Sequence, residues 1–590
     1  MELTRVFDLL DHQKAKYPKP DALAQKVGGN WITTSTDEYA RQSDLVSLGL
    51  LAMGIKKGDK LATLTNNRTE WNFLDMGILQ TGAIHVPIYP TLSIEDYEYI
   101  LVHAEIKYMF ISDALLYKKL KPLIDKIPAI EKVYTINQVE GVANWQDIPD
   151  LGAKSEHLRE VLNKTKKEVK PEDLASIIYT SGTTGVSKGV MLTHHNFVSN
   201  LLSARNALPL DNTHKILSFL PLCHVYEHLL SYLFQYKGVS IYYAQNMGTI
   251  ISDLKEIKAD GFDTVPRLLE KVYATIMNKG KELKGIKRAI FDWSVNLGLR
   301  FDFTNGPLYF AQLAIARKLV FVKWQEALGG HVKFIGSGGA ALQPRLARLF
   351  WAAGIPVQEG YGLTETSPLI AFNYSKHPGI KFGTVGPVIE NVEVKIADDG
   401  EILVRGFNVM KGYYKNDELT AEVIKDGWFH TGDIGEFVNG KYLKITDRKK
   451  EIFKLSSGKY IAPQVLENKL KESAYIEQAM IVGENKKYAA AIIVPDQEGL
   501  TRWGKEHHIQ PLTLESLIEN PKVKQLIQDE IKAVNKKLGK TEEIKKFKLI
   551  KDSWTPESGD LSPTLKLKRK HLAAKYESFI SDMFPASEND

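Results

Sequence analysis

Short apolar runs alternate with helix-like amphipathic stretches from the N-terminus to about residue 370. Examples are KLATLT, AIHVPIY, YMFISD, LASIIYT, VKFIGSG and IPVQEGYG. Such alternation predicts parallel α/β architecture. The segment VKFIGSGGAALQPRLARLFWAAGIPVQEGYG reads as one such unit. A buried strand ends in a glycine loop, and a helix with Pro344 near its start returns to a second strand ending at Gly360. Ligands of open α/β sheets sit at the carboxyl ends of the strands, where these glycines lie.

The pattern changes over residues 376–445. Alternating segments VEVKIA, EILVRG and KYLKIT are separated by DDG and NG turns, which predicts antiparallel hairpins. A charged segment, TDRKKEIFK, precedes a smaller region rich in helix and lysine, as separate lobes often are. Residues 277–324 read as helices with an aromatic and basic mixture (Phe291, Trp293, Phe301, Phe303, Tyr309). That mixture suits either a lipid-facing surface or packing with solvated charge.

Composition narrows the class. A chain of 590 residues exceeds a single core. Hydrophobic residues at 44% and charged ones at 25% are ordinary for a globular protein. The single cysteine, Cys223, excludes an internal disulfide. The N-terminus, MELTRVFDLLDHQKAKYP, lacks the apolar core of a signal peptide. No stretch approaches the ~20 apolar residues of a membrane span; the richest, residues 216–243, is broken by His224, Glu227, His228 and Lys237. A cytoplasmic protein, or one peripheral to the inner face of a membrane, is expected. The 77 basic residues are nearly balanced by 71 acidic ones, giving +6, so no nucleic acid partner is implied. Local basic excess, at Lys279, Lys281, Lys284, Lys287 and Arg288 and again at Lys566, Lys568, Arg569 and Lys570, reads as solvated helix faces.

The strongest chemical signal is YTSGTTGVSKG, residues 179–189, directly after an apolar strand. Thr180, Ser181, Thr183, Thr184 and Ser187 supply hydroxyls, Gly182 and Gly185 let backbone N–H groups face an anion, and Lys188 adds a compact charge. Together they can wrap a polyphosphate. The spacing is not that of a Walker A loop.

This loop resembles the phosphate-binding signature of the adenylate-forming enzymes, which include acyl-CoA synthetases, firefly luciferase and nonribosomal peptide adenylation domains. Further matches follow in order: GYGLTE (360–365), DGWFHTGDIG (426–435), TDRKKEIFKLSSGKYIAP (446–463) and LSPTLKLKRK (561–570). Within that superfamily FDTVPRLLEKVY, LPLCHVYEHLLSY and IGSGGAALQPRLARLF are most similar to long-chain fatty acyl-CoA synthetases.

The resemblance implies a large N-terminal lobe of α/β subdomains with a small β-barrel-like subdomain, then a smaller mobile α+β lobe. Its boundaries here are 1–446 for the AMP-binding domain, 447–450 for a hinge and 451–590 for the lid domain. It implies a fatty acid, ATP and CoA as substrates and Mg²⁺ as cofactor, with an acyl-adenylate intermediate. Glu365 would hold Mg²⁺ against the phosphates, and Thr364 would donate to the α-phosphate. Gly360, Tyr361 and Gly362, with Gly338, Gly339 and Ala340, would form the adenine slot. Asp433 would accept from the ribose hydroxyls, assisted by Arg448. Lys566, or Lys568 if the register slips, would reach the α-phosphate. Lys450 would be the pivot, and Ser457 and Gly458 would line the pantetheine channel. His224 suits the meeting point of carboxylate and pantetheine, or equally a helix cap. Three rival readings stand beside this one: an acyl-AMP ligase serving a carrier protein, a non-catalytic scaffold, and a membrane-surface protein.

Overall fold

The computed structural model describes residues 3–180, 187–536, 538–539, 542–555, 558–562 and 566–585. The chain divides into two units. The first holds Met1–Lys395, Leu403–Thr431 and Phe437–Lys444; the second holds Ile396–Ile402, Gly432–Glu436 and Ile445–Asp590.

Two sheets dominate the first unit. One has seven strands, in the order Gly412–Tyr413, Lys188–Thr193, Leu174–Thr180, Ile84–Pro87, Lys60–Leu64, Ile106–Ile111 and Lys132–Thr135. From Leu174–Thr180 outward every pairing is parallel. The other has eight strands, in the order Leu369–Phe372, Val357–Gly362, Phe334–Ser337, Gly261–Thr264, Lys215–Ser218, Ser240–Tyr243, Leu23–Val27 and Asn30–Thr34. Its interior is parallel and both edge strands run antiparallel. The apolar runs KLATL, IHVP and SIYY are buried almost throughout, because helices cover both faces of a parallel sheet and leave no wet side to alternate with.

Helix ends follow local chemistry. Thr193 and Asn196 form a capping box at His194–Ala204, and Ser35, Ser93 and Asp113 each accept a backbone N–H at a helix start. Pro344 opens helix Pro344–Ala352 as its first residue, where its missing N–H leaves no bond unmade. Helix Val225–Tyr236 is enclosed on every side, with all residues from Val225 to Gln235 buried. That accounts for the apolar richness of residues 216–243, which form strand, helix and strand. No helix among the described residues is long and apolar enough to cross a membrane.

The structure sharpens two of the expectations. The strand before the phosphate loop is followed by a second strand: Leu174–Thr180 and Lys188–Thr193 pair antiparallel, with Thr180 opposite Lys188. The aromatic residues of 277–324 largely turn inward. Phe291 and Phe301 are buried, Phe303 stacks on Phe382 with centroids 5.5 Å apart, and the Tyr309 hydroxyl donates to the Leu297 carbonyl at 2.8 Å.

A five-stranded sheet spans residues 392–448. The rest of the second unit has its own three-stranded sheet. Ile476–Val482 runs antiparallel to Ala489–Pro495, which pairs in parallel with Ile544–Leu549. All seven residues of AAAIIVP are buried, because apolar clusters cover both faces of this strand.

Candidate active site

In the first unit the candidate residues gather at the carboxyl ends of the two sheets. Thr180 and Lys188 face each other across the hairpin. Ser181, Gly182, Thr183, Thr184 and Gly185 lie outside the described residues. Lys188 Nζ sits 5.0 Å from the Tyr413 ring centroid, and the Tyr413 hydroxyl donates to Glu365 Oε1 at 2.9 Å. The Met410 N–H donates to the Glu365 carbonyl at 2.8 Å, so Glu365 is fixed through both side chain and backbone. Burial, and then the Glu365 charge, push the Tyr413 phenol well above its usual range. Thr364 is buried at the start of the 3₁₀ turn Thr364–Thr366.

Glycines shape the neighbouring loops by steric exclusion. A Cβ at Gly362 would lie 1.7 Å from the Pro368 carbonyl oxygen, and one at Gly338 would lie 3.1 Å from the Tyr226 ring. Gly339 has φ +78°, a conformation that glycine adopts without penalty. Gly339 and Ala340 are exposed, and Tyr361 is half-buried beside Gly360.

His224 caps helix Val225–Tyr236, its Nδ1 accepting from the Tyr226 N–H at 3.2 Å. The capping geometry is therefore present, and the ring remains half-exposed. One turn inward lies a group that sequence reasoning missed. Glu227 Oε1 accepts from Ser218 Oγ at 2.5 Å, while Glu227 Oε2 and both Asp263 oxygens are buried with no recorded hydrogen bond. Burial pushes Glu227 up to about 8, and burial followed by the Glu227 charge raises Asp263. Residues 36 positions apart that meet across a helix and a sheet leave no local sequence signal. Tyr413 was missed for the same reason.

In the second unit Arg448 Nε lies 3.3 Å from Asp433 Oδ1, and Asp433 is buried. The structure thus brings this expected pair together. Glu401 supports it, accepting from the Gly432 N–H at 2.9 Å and from Lys449 Nζ at 2.9 Å. Burial pushes the adjacent Asp447 up to about 7. Lys450 is exposed, as are Ser457 and Gly458. The glycine at 458 has a reason other than close approach: nothing lies within 4 Å of a Cβ placed there, and its φ is +80°. It closes the turn between Phe453–Lys454 and Tyr460–Ile461, its N–H donating to the Leu455 carbonyl at 2.8 Å.

Lys566 is exposed, with its backbone N–H donating to Ser562 Oγ at 3.1 Å. Lys568 occupies the N-cap of helix Arg569–Lys575. Arg569 makes a two-pronged contact with Glu467, at 2.7 and 2.6 Å, and its Nε donates to Glu451 Oε2 at 2.9 Å. Burial works against the Glu451 charge, yet the Arg569 guanidinium holds that carboxyl below its usual range. Among the described residues no three His, Cys, Asp or Glu side chains gather as a metal site.

Residues 10–414 match the model of the AMP-binding enzyme family, and residues 450–588 match that of the AMP-binding enzyme C-terminal domain. The long-chain-fatty-acid–CoA ligase FadD15 of Mycobacterium bovis is 34% identical over 95% of this chain and 93% of its own length. The peroxisomal long chain acyl-CoA synthetase 7 of Arabidopsis thaliana is 32% identical over 94% of this chain and 82% of its own. Among solved structures, the anthranilate CoA ligase AuaEII with anthranoyl-AMP superposes with a TM-score of 0.70 at 18% identity, covering 98% of each chain. A Mycobacterium tuberculosis fatty acyl CoA synthetase gives 0.61 at 20%, over 98% of this chain and 99% of that one. These structures share the fold of adenylate-forming enzymes, and by its sequence matches the chain belongs to the AMP-binding enzyme family.

Proposed function

We infer that the chain is an AMP-forming long-chain-fatty-acid–CoA ligase. The observation that carries this is the near full-length match, at 34% identity, to a relative bearing that name, with Glu365 held by Tyr413 beside Lys188 in support. A fatty carboxylate attacks the α-phosphate of ATP, pyrophosphate leaves, and an acyl-adenylate forms. The thiol of CoA then attacks the acyl carbon, loses its proton, and AMP leaves.

Each expected role falls on a specific group. Thr180, Lys188 and residues 181–185 hold the phosphates; residues 338–340 and 360–362 receive adenine with Tyr361. Asp433 and Arg448 take the ribose, Thr364 and Lys566 the α-phosphate, and His224 the acyl carboxylate. A single half-buried carboxylate is a poor metal centre by itself. It suits Mg²⁺, which is held by one or two carboxylates together with substrate phosphates, and Glu365 is the residue that would hold it. When bound, the ion would neutralise phosphate charge. ATP–pyrophosphate exchange with palmitate, followed by thioester formation with free CoA, tests the reading. A profile from acetate upward that peaks on short or aromatic acids would overturn the chain-length assignment.

The two half-reactions need the acyl carbon approached differently, so we assign residues 1–446 and 451–590 to two lobes turning about 447–450. Proline at Lys450 fixes φ near −65° and limits that rotation. Lys450→Pro is expected to keep adenylation and lose most thioester formation. Lys566→Ala is expected to do the reverse, still converting supplied acyl-adenylate and CoA. Equal loss of both steps in each variant rejects the two-state account.

A further inference from the structure

Across five parallel strands of the eight-stranded sheet, one register level carries Tyr243, Ser218, Asp263, Gly336 and Gln358 side by side. Helix Val225–Tyr236 lies on this row and sets Glu227 on it, where Ser218 Oγ donates to Glu227 Oε1. A Cβ at Gly336 would lie 2.2 Å from Asp263 Oδ1 and 2.9 Å from the Tyr226 hydroxyl, so the glycine makes room for both. Amides satisfy the ends of the row. Asn72 Nδ2 donates to the Tyr243 hydroxyl at 2.8 Å, and Gln358 Nε2 donates to the Asn373 carbonyl at 2.7 Å. The middle differs: Glu227 Oε2, both Asp263 oxygens and the Tyr226 hydroxyl are buried without a recorded hydrogen bond.

Two ionised carboxylates are a poor fit to that interior. An ionised acid only accepts hydrogen bonds, and burying its charge without a cation is costly. No Lys, Arg or His is recorded bonding to either acid among the described residues. On the same helix, His224 Nδ1 accepts from the Tyr226 N–H, and His228 bonds to the Tyr232 hydroxyl. Asp75 is held separately, by His85 and Tyr232. The other titratable groups at the row are the phenols of Tyr226 and Tyr243, both raised by burial. A protonated carboxyl donates where an ionised one cannot, so the row is satisfied when protons sit on the two acids. Burial raises both, and the Glu227 charge raises Asp263 further.

We propose that Glu227 and Asp263 are positioning residues: with protons held on the pair, they tie helix Val225–Tyr236 to the strands beneath it. Two expected site elements depend on that tie. His224 caps the helix, and residues 338–340 leave strand Phe334–Ser337 just beyond Gly336. Deprotonation places two like charges together in a buried interior. It pushes the helix off the sheet and takes His224 and the loop out of register. The consequence for adenylation rests on the ligase reading; the protonation itself does not.

Two measurements on the full chain test it. Infrared difference spectra read the proton without turnover: at neutral pH the wild type should show a protonated-carboxyl stretch that loses intensity in Glu227→Gln. No such difference overturns the proposal, whatever becomes of the ligase reading. ATP–pyrophosphate exchange with palmitate, which involves no CoA thiol, reads the positioning. Turnover at saturating substrates should fall about tenfold per pH unit above about 8, at a temperature where the protein stays folded. Glu227→Gln, whose amide donates as the neutral acid does, should keep neutral-pH turnover and lose the alkaline fall. Glu227→Leu should lose about tenfold at neutral pH. A wild-type profile flat to alkaline pH, or the same fall in Glu227→Gln, overturns the proposal and leaves the pair a stabiliser of the fold alone. So does a folded but inactive Glu227→Gln beside an active wild type. An inactive wild type that shows the stretch supports the protonated pair and counts against the ligase reading.

Discussion

The candidate site residues of the two units, and the side chains around them, are held by different means. In the first unit the loops are shaped by backbone and glycine: Gly362 against the Pro368 carbonyl, Gly338 against Tyr226. In the second, charged side chains do the holding: Asp433 with Arg448, Glu401 with Lys449, and Arg569 between Glu451 and Glu467. Steric exclusion admits one arrangement. Ion pairs tolerate rearrangement but respond to the loss of one partner. A unit expected to stay fixed while phosphates bind suits the first device, and a unit expected to turn suits the second.

The largest expected effect sharpens the electrostatic side. Arg569→Gln leaves buried Glu467 and half-buried Glu451 without their cation, which costs about 3–5 kcal/mol. Calorimetry should show the second unit melting earlier with the first unchanged. A single unaltered transition would mean the cluster contributes little. Next, Gly362→Ala breaks the steric side. Its Cβ meets a backbone carbonyl that cannot swing away, so a loss of about 3 kcal/mol with collapse of adenylation is expected in denaturant titration and exchange assays. Adenylation close to wild type would show that this loop yields.

A buried acid gives a smaller, pH-dependent effect. Burial pushes the folded-state Glu227 carboxyl up to about 8, from an ordinary 4.5. The native state therefore holds a proton that the unfolded chain has released. This contribution is fully present below the unfolded pKa and is lost as pH rises through 8, at up to about 1.4 kcal/mol per pH unit. Glu359, pushed to about 8 by burial, adds in the same direction. Glu227→Gln should flatten the decline of stability between pH 4.5 and about 8. An unchanged slope would mean that Glu227 is already ionised. The smallest effect belongs to Tyr413→Phe, which removes one hydrogen bond to Glu365. About tenfold in adenylation, with stability nearly unchanged, is expected.

Much of the α/β layout was legible because fully buried strands print unbroken apolar runs and helix starts carry Pro344 or a capping hydroxyl. The Asp433–Arg448 pair was legible through its motifs. The antiparallel return after Thr180 was not, since GVMLT reads equally as a strand in either direction. The side taken by the aromatics of 277–324 stayed open because composition does not say which side of a helix meets water. Glu227 with Asp263, and Tyr413 with Glu365, are pairings across the fold, and periodicity within one element cannot reveal them.

Helix Val225–Tyr236 has one further consequence. Sealed from Val225 to Gln235, it has no slack along its length, and His224 stands at its tip like the zero mark of a ruler. If the acyl carboxylate is read there, chain length is measured from a fixed origin. Specificity can then be changed by moving the far end of the scale, and substitutions there should shift the preferred length while leaving the chemistry at the carboxyl carbon untouched.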